Sequence, residues 1–269
     1  MGEVTLGQYY PTNSILHKLD PRVKFVGTLT YIISLFLIRG VAGWIFVTAV
    51  LAGLMFLSRV PFPYLIKSMR PILFILVITV IFNLLLTPGT IVWKFWIFQI
   101  TKEGIRVAIQ MALRLSYLVM GSSLMTLTTT PNALTDAMER LFAFLKVVKV
   151  PVHEISMMMS IALRFIPILM EEADKIKKAQ MARGADFESG SFIRRMKAMI
   201  PLLVPLFVSA FRRANDLAMA MEARCYHGGD NRTQMKPLRY KGRDYVAYLL
   251  MAVMLTASIL FRIFGKSAI

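Results

Sequence analysis

Histidine and cysteine would carry most of the acid–base, nucleophilic or metal chemistry open to this chain, and their spacing supports none of it. His17, His153 and His227 lie far apart, without an HExxH pair or a second ligand cluster. Cys225 is the only cysteine, which excludes an intrachain disulfide and a cysteine-built metal centre. Gly265-Lys266-Ser267 has the end of a phosphate-binding loop, but position 260 is Leu where that pattern needs Gly. No catalytic residue, cofactor or metal is therefore expected. What the residues do offer is grip. Sliding the stretch Glu154 to His227 along itself by 41 positions puts Ala173 on Ala214, Ile176 on Leu217, Ala179 on Ala220, Ala182 on Ala223 and Arg183 on Arg224. Each copy is a small-residue face closed by one guanidinium, whose five donors form a rigid fork for a carboxylate and carbonyls in a partner groove. A single Arg followed by Gly184 would read as an ordinary helix end, a basic last turn contributing about 0.3–1 kcal/mol against the dipole. The repetition favours docking.

The elements that must hold these ends belong to a membrane protein. Hydrophobic residues make up 57% of the 269 and charged ones only 17%, too apolar for a soluble domain. The net charge of +17 lies beside apolar runs, where the positive-inside bias puts it, so membrane topology accounts for it without nucleic acid. The polar first 22 residues lack an apolar core and a small-residue cleavage site, so no removable signal peptide is expected.

Asp20-Pro21 reads as a helix start, with an accepting side chain followed by a residue that needs no N–H. Five spans are expected: 23–39, 41–58, 71–87, 105–128 and 244–264. Arg39-Gly40 makes the first two a tight hairpin. Residues 59–70, with Arg59, Lys67, Arg70 and two prolines, read as a cytoplasmic connection to a span that opens at Pro71. Pro88-Gly89 turns the chain into an exposed segment whose Trp93 and Trp96 suit the membrane interface. Arg114, inside the fourth span, is costly unless it faces the bundle, water or a partner, and an ion pair is its expected role.

A fresh amphipathic pattern, 133–145, follows Pro131. From there to Arg243 there are 19 Lys and Arg against 11 Asp and Glu, so this block reads as cytoplasmic. Residues 155–170 are apolar enough for another span. Crossing there would strand Lys175, Lys177, Lys178, Arg183, Arg194, Arg195 and Lys197 outside, so two long helices, 153–184 and 192–227, are expected at the cytoplasmic face instead. The expected fold is all-α and polytopic, with the N-terminus inside. Residues 1–130 carry the N-terminal segment and spans one to four, 131–243 a three-helix coupling domain, and 244–269 span five.

Nearly the whole chain resembles the transmembrane coupling protein EcfT of energy-coupling factor (ECF) vitamin and metal transporters, the CbiQ/EcfT family. The resemblance lies in Gly7-Gln8-Tyr9, Leu16-His17-Lys18-Leu19-Asp20-Pro21-Arg22-Val23-Lys24, Thr126-Leu127-Thr128-Thr129-Thr130-Pro131, Ala162-Leu163-Arg164-Phe165-Ile166-Pro167, Ala182-Arg183-Gly184-Ala185 and Glu222-Ala223-Arg224-Cys225-Tyr226. It implies a multi-pass protein of a prokaryotic cell membrane whose two Ala-Arg ends each dock into one of two ATPase subunits. Motion driven by ATP would pass through them to a membrane-embedded substrate-binding subunit. The implied docking residues are Ala182, Arg183, Gly184, Ala223, Arg224 and Cys225. Met157, Met158 and Met159 read either as membrane-facing filler or as adaptable contacts. The resemblance favours them, with Leu163, as a surface for interchangeable substrate-binding subunits. Position 225 departs from the family's usual Gly. Cys resists the left-handed backbone of a helix stop, which Gly228-Gly229 just downstream could supply. This asymmetry points to two non-identical ATPases, a heterodimer. A membrane-embedded enzyme would need converging polar groups at membrane depth, and a stand-alone secondary transporter would need inverted halves; the repeat here is short and same-directed.

Overall fold

Asp20 opens the first helix by accepting the Arg22 backbone N–H at 2.9 Å, with Pro21 in the first turn. The computed structural model describes residues 9–38, 40–95, 98–187, 191–228 and 237–264, and the backbone alone of 92–95, 98, 99, 192 and 194. Within it run α1 (Pro21–Leu37), α2 (Gly40–Ser58), α3 (Phe62–Leu86), a hairpin of β1 (Ile91–Phe95) and β2 (Phe98–Thr101), and α4 (Lys102–Thr128). There follow α5 (Pro131–Leu141), a 3-10 helix (Phe142–Val148), α6 (Val152–Ala182), α7 (Phe192–Glu222) and α8 (Gly242–Phe264). The chain is an all-α polytopic membrane protein. Contacts divide it into a unit of Gly7–Ala137 with Leu238–Ile269 and a unit centred on Met138–Pro237.

In the first unit, Tyr31, Leu35 and Ile38 of α1, Val47 and Leu51 of α2, Leu65 of α3, Leu124 and Leu127 of α4, and Met254 of α8 form one core. Gly121 lets α4 approach α1 closely, because a Cβ there would overlap the Tyr31 ring, whose hydroxyl donates to the Tyr117 carbonyl at 3.1 Å. The outward faces are apolar, as a lipid solvent demands: Phe56, Phe74 and Leu249 are exposed.

Three expectations change. The connection before span three shrinks to Arg59–Pro61, and α3 begins at Phe62, so Lys67 and Arg70 are helical and Pro71 lies inside the helix. Pro63 sits in the first turn, where no N–H is needed, and the chain reverses at Arg59 (φ 53°) instead. The exposed segment after Pro88-Gly89 is a two-stranded antiparallel hairpin with an irregularity between Ile91 and Trp93. Trp96 and Arg39, and the Trp93 side chain, lie outside the described residues. Finally, the five described helices long and apolar enough to cross a membrane are α2, α3, α4, α6 and α8. α1, with 17 residues, falls just short of that length yet packs against α4 and α8. α6 qualifies by length and composition alone.

Candidate docking sites at the ends of two long helices

α6 and α7 each run 31 residues and lie antiparallel. Glu172 of α6 accepts the Arg213 guanidinium at 2.5 Å and the Ser209 hydroxyl at 2.8 Å. Farther along α6, Gln180 Nε2 donates to the Pro201 carbonyl at 3.5 Å. That carbonyl is free within α7 because its usual helical donor, four residues on, is Pro205. Advancing along α6 therefore means retreating along α7. In the other direction Ile161, Phe165 and Leu169 share an apolar groove of about 290 Å³ with Ala214, Leu217 and Met221. His153 Nδ1 lies 2.8 Å from Glu139, which ties the start of α6 to the end of α5.

Glu172 and Arg213 are themselves 41 positions apart, so the pair that joins the helices sits at matching places in the repeat. Arg183 and Arg224 each lie 11 residues past that crossing, about 16 Å along their own helix. Because the helices are antiparallel, the two ends point away from each other and stand about 33 Å apart.

Both ends close in the same way. Ala185 N–H donates to the Gln180 carbonyl at 2.9 Å and Gly184 N–H to Met181 at 3.0 Å, with Gly184 at φ 89°. Tyr226 N–H donates to the Met221 carbonyl at 3.0 Å and Cys225 N–H to Glu222 at 2.8 Å, with Cys225 at φ 55°. These are two Schellman closures in register with the 41-residue repeat. The stop is thus at Cys225 and not at Gly228, which turns (φ 101°) three residues later. The crossed hydrogen bonds hold Cys225 in a conformation its Cβ disfavours.

Ala182, Arg183, Gly184, Ala223, Arg224 and Cys225 are all exposed, as are Ala179 and Ala220 one turn back. Neither guanidinium has an ion-pair partner among the described residues. Each end is therefore an open small-residue face with an uncommitted bidentate donor. Farther back on α6, Met158 and Met159 are exposed, whereas Met157 and Leu163 are half-buried. The exposed apolar stripe comprises Ile155, Met158, Met159, Ala162 and Ile166. Among the described residues no three His, Cys, Asp or Glu side chains gather where a metal could sit.

Residues 12–235 match the family model described as cobalt transport protein, CbiQ. The chain is 52% identical over 258 residues to the energy-coupling factor transporter transmembrane protein EcfT of Ruminiclostridium cellulolyticum, covering 96% of this chain and 97% of that one. It is 49% identical over 269 residues to the EcfT of Clostridium kluyveri (98% and 99% covered), and 45% identical over 262 residues to that of Bacillus subtilis (97% and 98% covered). This chain belongs to the EcfT family.

The EcfT motif at Leu16–Lys24 turns out to build a clamp that residue-by-residue reading did not foresee. Lys24, buried, donates to the carbonyls of Thr128 (2.7 Å) and His17 (3.2 Å). Asp244, 1% exposed at the start of α8, accepts the Asp20 and Lys241 backbone N–H groups at 2.9 and 2.7 Å. The Arg22 guanidinium bonds Asp20 and lies 3.9 Å from the Tyr240 ring centroid. Burial pushes the Asp20 carboxyl up, but Arg22 and Lys24 outweigh it and hold it below the usual carboxylate range. The signal was present only in part: nothing in the sequence ties Asp244 to a residue 224 positions earlier. The ion pair expected for Arg114 is absent among the described residues. Its guanidinium instead faces Phe36 and Trp44, 5.6 and 5.9 Å from their ring centroids.

Proposed function

We propose that the chain is the non-catalytic coupling and scaffold subunit of an ECF-type importer, with residues 131–243 as its cytoplasmic coupling domain and the N-terminus inside. Arg183 and Arg224 dock into two ATPase subunits of a heterodimer, which hydrolyse ATP. α6 and α7 pass the resulting motion to a membrane-embedded subunit that binds the vitamin or metal ion, contacted by the Met158–Met159 stripe. Seven basic side chains between 175 and 197 favour keeping α6 and α7 on the cytoplasmic side, despite the length and apolarity of α6. The observation that carries the reading is the crossing of α6 and α7 at matching positions of the repeat, which presents two alike, outward-facing, unpaired arginine ends about 33 Å apart. One groove cannot receive both ends; a pair of related subunits can.

Arg183→Glu and Arg224→Glu are each expected to weaken ATPase retention by about 2–5 kcal/mol, or at least about thirtyfold, and to abolish uptake by the assembled transporter. The readouts are affinity purification in mild detergent and transport in reconstituted vesicles. Wild-type retention and wild-type uptake in both variants would refute the docking assignment.

A further inference from the structure

Arg114 is a cation at membrane depth that no described acid neutralises. The faces of Phe36 and Trp44 attract it but accept no hydrogen bond in the plane of the guanidinium, and its Nε is buried without a hydrogen-bond partner. That plane is where an oxyanion binds.

Depth decides which oxyanion reaches it. The clamp of Lys24, Asp20, Asp244 and Thr128 marks one boundary of the hydrocarbon layer. Arg114 lies 14 positions back along α4 from Thr128, about 21 Å, and so about 9 Å short of the other boundary of a core about 30 Å thick. α1 ends at Leu37, 13 residues or about 20 Å past Lys24 of the clamp, and the chain reverses at Gly40, so the turn between α1 and α2 lies level with Arg114, as Phe36 and Trp44 beside it attest. α4 continues 12 residues past Arg114 to Lys102. A short hairpin beside longer helices draws the bilayer surface inward, and an arginine stem reaches outward to meet it. Both bring lipid phosphate to the guanidinium. Arg106, exposed and two turns nearer that boundary, adds positive charge on the same side.

α2 offers a place for the lipid's chain. Val41, Trp44, Ile45, Thr48, Ala49 and Ala52 line an open, largely apolar groove of about 400 Å³. Its residues span 11 positions, about 16 Å parallel to the helix axis, which is the form of an extended acyl chain. Trp44 belongs both to this groove and to the box around Arg114. We infer that α2 and α4 form a binding site for one anionic phospholipid, its phosphodiester on Arg114 and an acyl chain along Val41–Ala52. The site depends neither on which leaflet is outer nor on the docking roles of Arg183 and Arg224.

Trp93→Phe with Trp96→Phe leaves Trp44 as the only tryptophan of the three, a reporter inside the site. The full chain carrying these changes is placed in phosphatidylcholine vesicles containing either brominated phosphatidylglycerol or brominated phosphatidylcholine. Half-quenching of Trp44 is expected at a mole fraction of phosphatidylglycerol about fivefold lower, the preference one cation gives near an anionic surface. Arg114→Gln removes the preference but leaves quenching by brominated phosphatidylcholine unchanged, which reports an intact α2 groove; Arg114→Lys retains part of it. Equal quenching by the two lipids, or a preference that survives Arg114→Gln, overturns the proposal. A preference that disappears when the chain is assembled with its transporter partners overturns it too, because a protein carboxylate then holds Arg114.

Discussion

Cys225 keeps a left-handed backbone (φ 55°) at the place where the other helix end has Gly184. For a residue with a Cβ this costs about 1–2 kcal/mol, partly offset because Gly loses more freedom on folding, by about 0.4–1 kcal/mol. Cys225→Gly should therefore tighten the end of α7. The amide to watch is Tyr226, which donates to the Met221 carbonyl: its hydrogen exchange should slow, and faster exchange would remove the strain argument. The sequence made Arg224 legible as the counterpart of Arg183 at a second helix end, since type and spacing repeat. It misplaced the stop, because a residue's preference against left-handed backbone is weaker than the two crossed hydrogen bonds that impose it.

At the scale of elements, composition located the helices well, because runs of apolar residues leave the backbone few ways to satisfy itself in lipid. It failed where a local signal was ambiguous. Pro63 and Pro71 looked like punctuation but are tolerated within α3, and the β-branched and aromatic residues of Ile91–Phe95 were passed over inside an all-helical frame. The lead-in before α1 looked like a polar tail, yet it docks on the end of α4: Tyr10 N–H donates to the Leu127 carbonyl at 2.9 Å, and His17 Nε2 lies 3.0 Å from the Tyr10 carbonyl. A carbonyl only accepts, so Nε2 carries the proton and the neutral ring accepts the Ser14 hydroxyl at Nδ1, 2.7 Å away. Burial lowers the His17 pKa below 6.5, so the fold favours the neutral ring. The resulting stability is complete above pH 6.5 and is lost as pH falls through the lowered value. Limited proteolysis within residues 9–19 should accelerate between pH 7.5 and pH 5 in the wild type (about one pH step above the ordinary value and one and a half below it). His17→Gln should flatten that dependence, and an unchanged profile would show that His17 does not set it.

For the molecule as a whole, the decisive dimension is the separation of the two arginine ends. Because Cys225 is the only cysteine, Asp186→Cys creates a single pair for spin labels, one beside each end. A distance centred on about 33 Å is expected from the helix rise; a value below about 20 Å would mean that α6 and α7 do not cross as described, since 20 Å is only about 13 residues of helix. The Glu172–Arg213 contact also divides the two helix ends evenly. The arms beyond it are 11 residues each, so neither end has a mechanical advantage and a scissoring motion moves both by the same amount. If the two ends dock as proposed, any unequal response of the two ATPase subunits must then come from chemistry at the tips, where one helix ends at Gly184 and the other at Cys225.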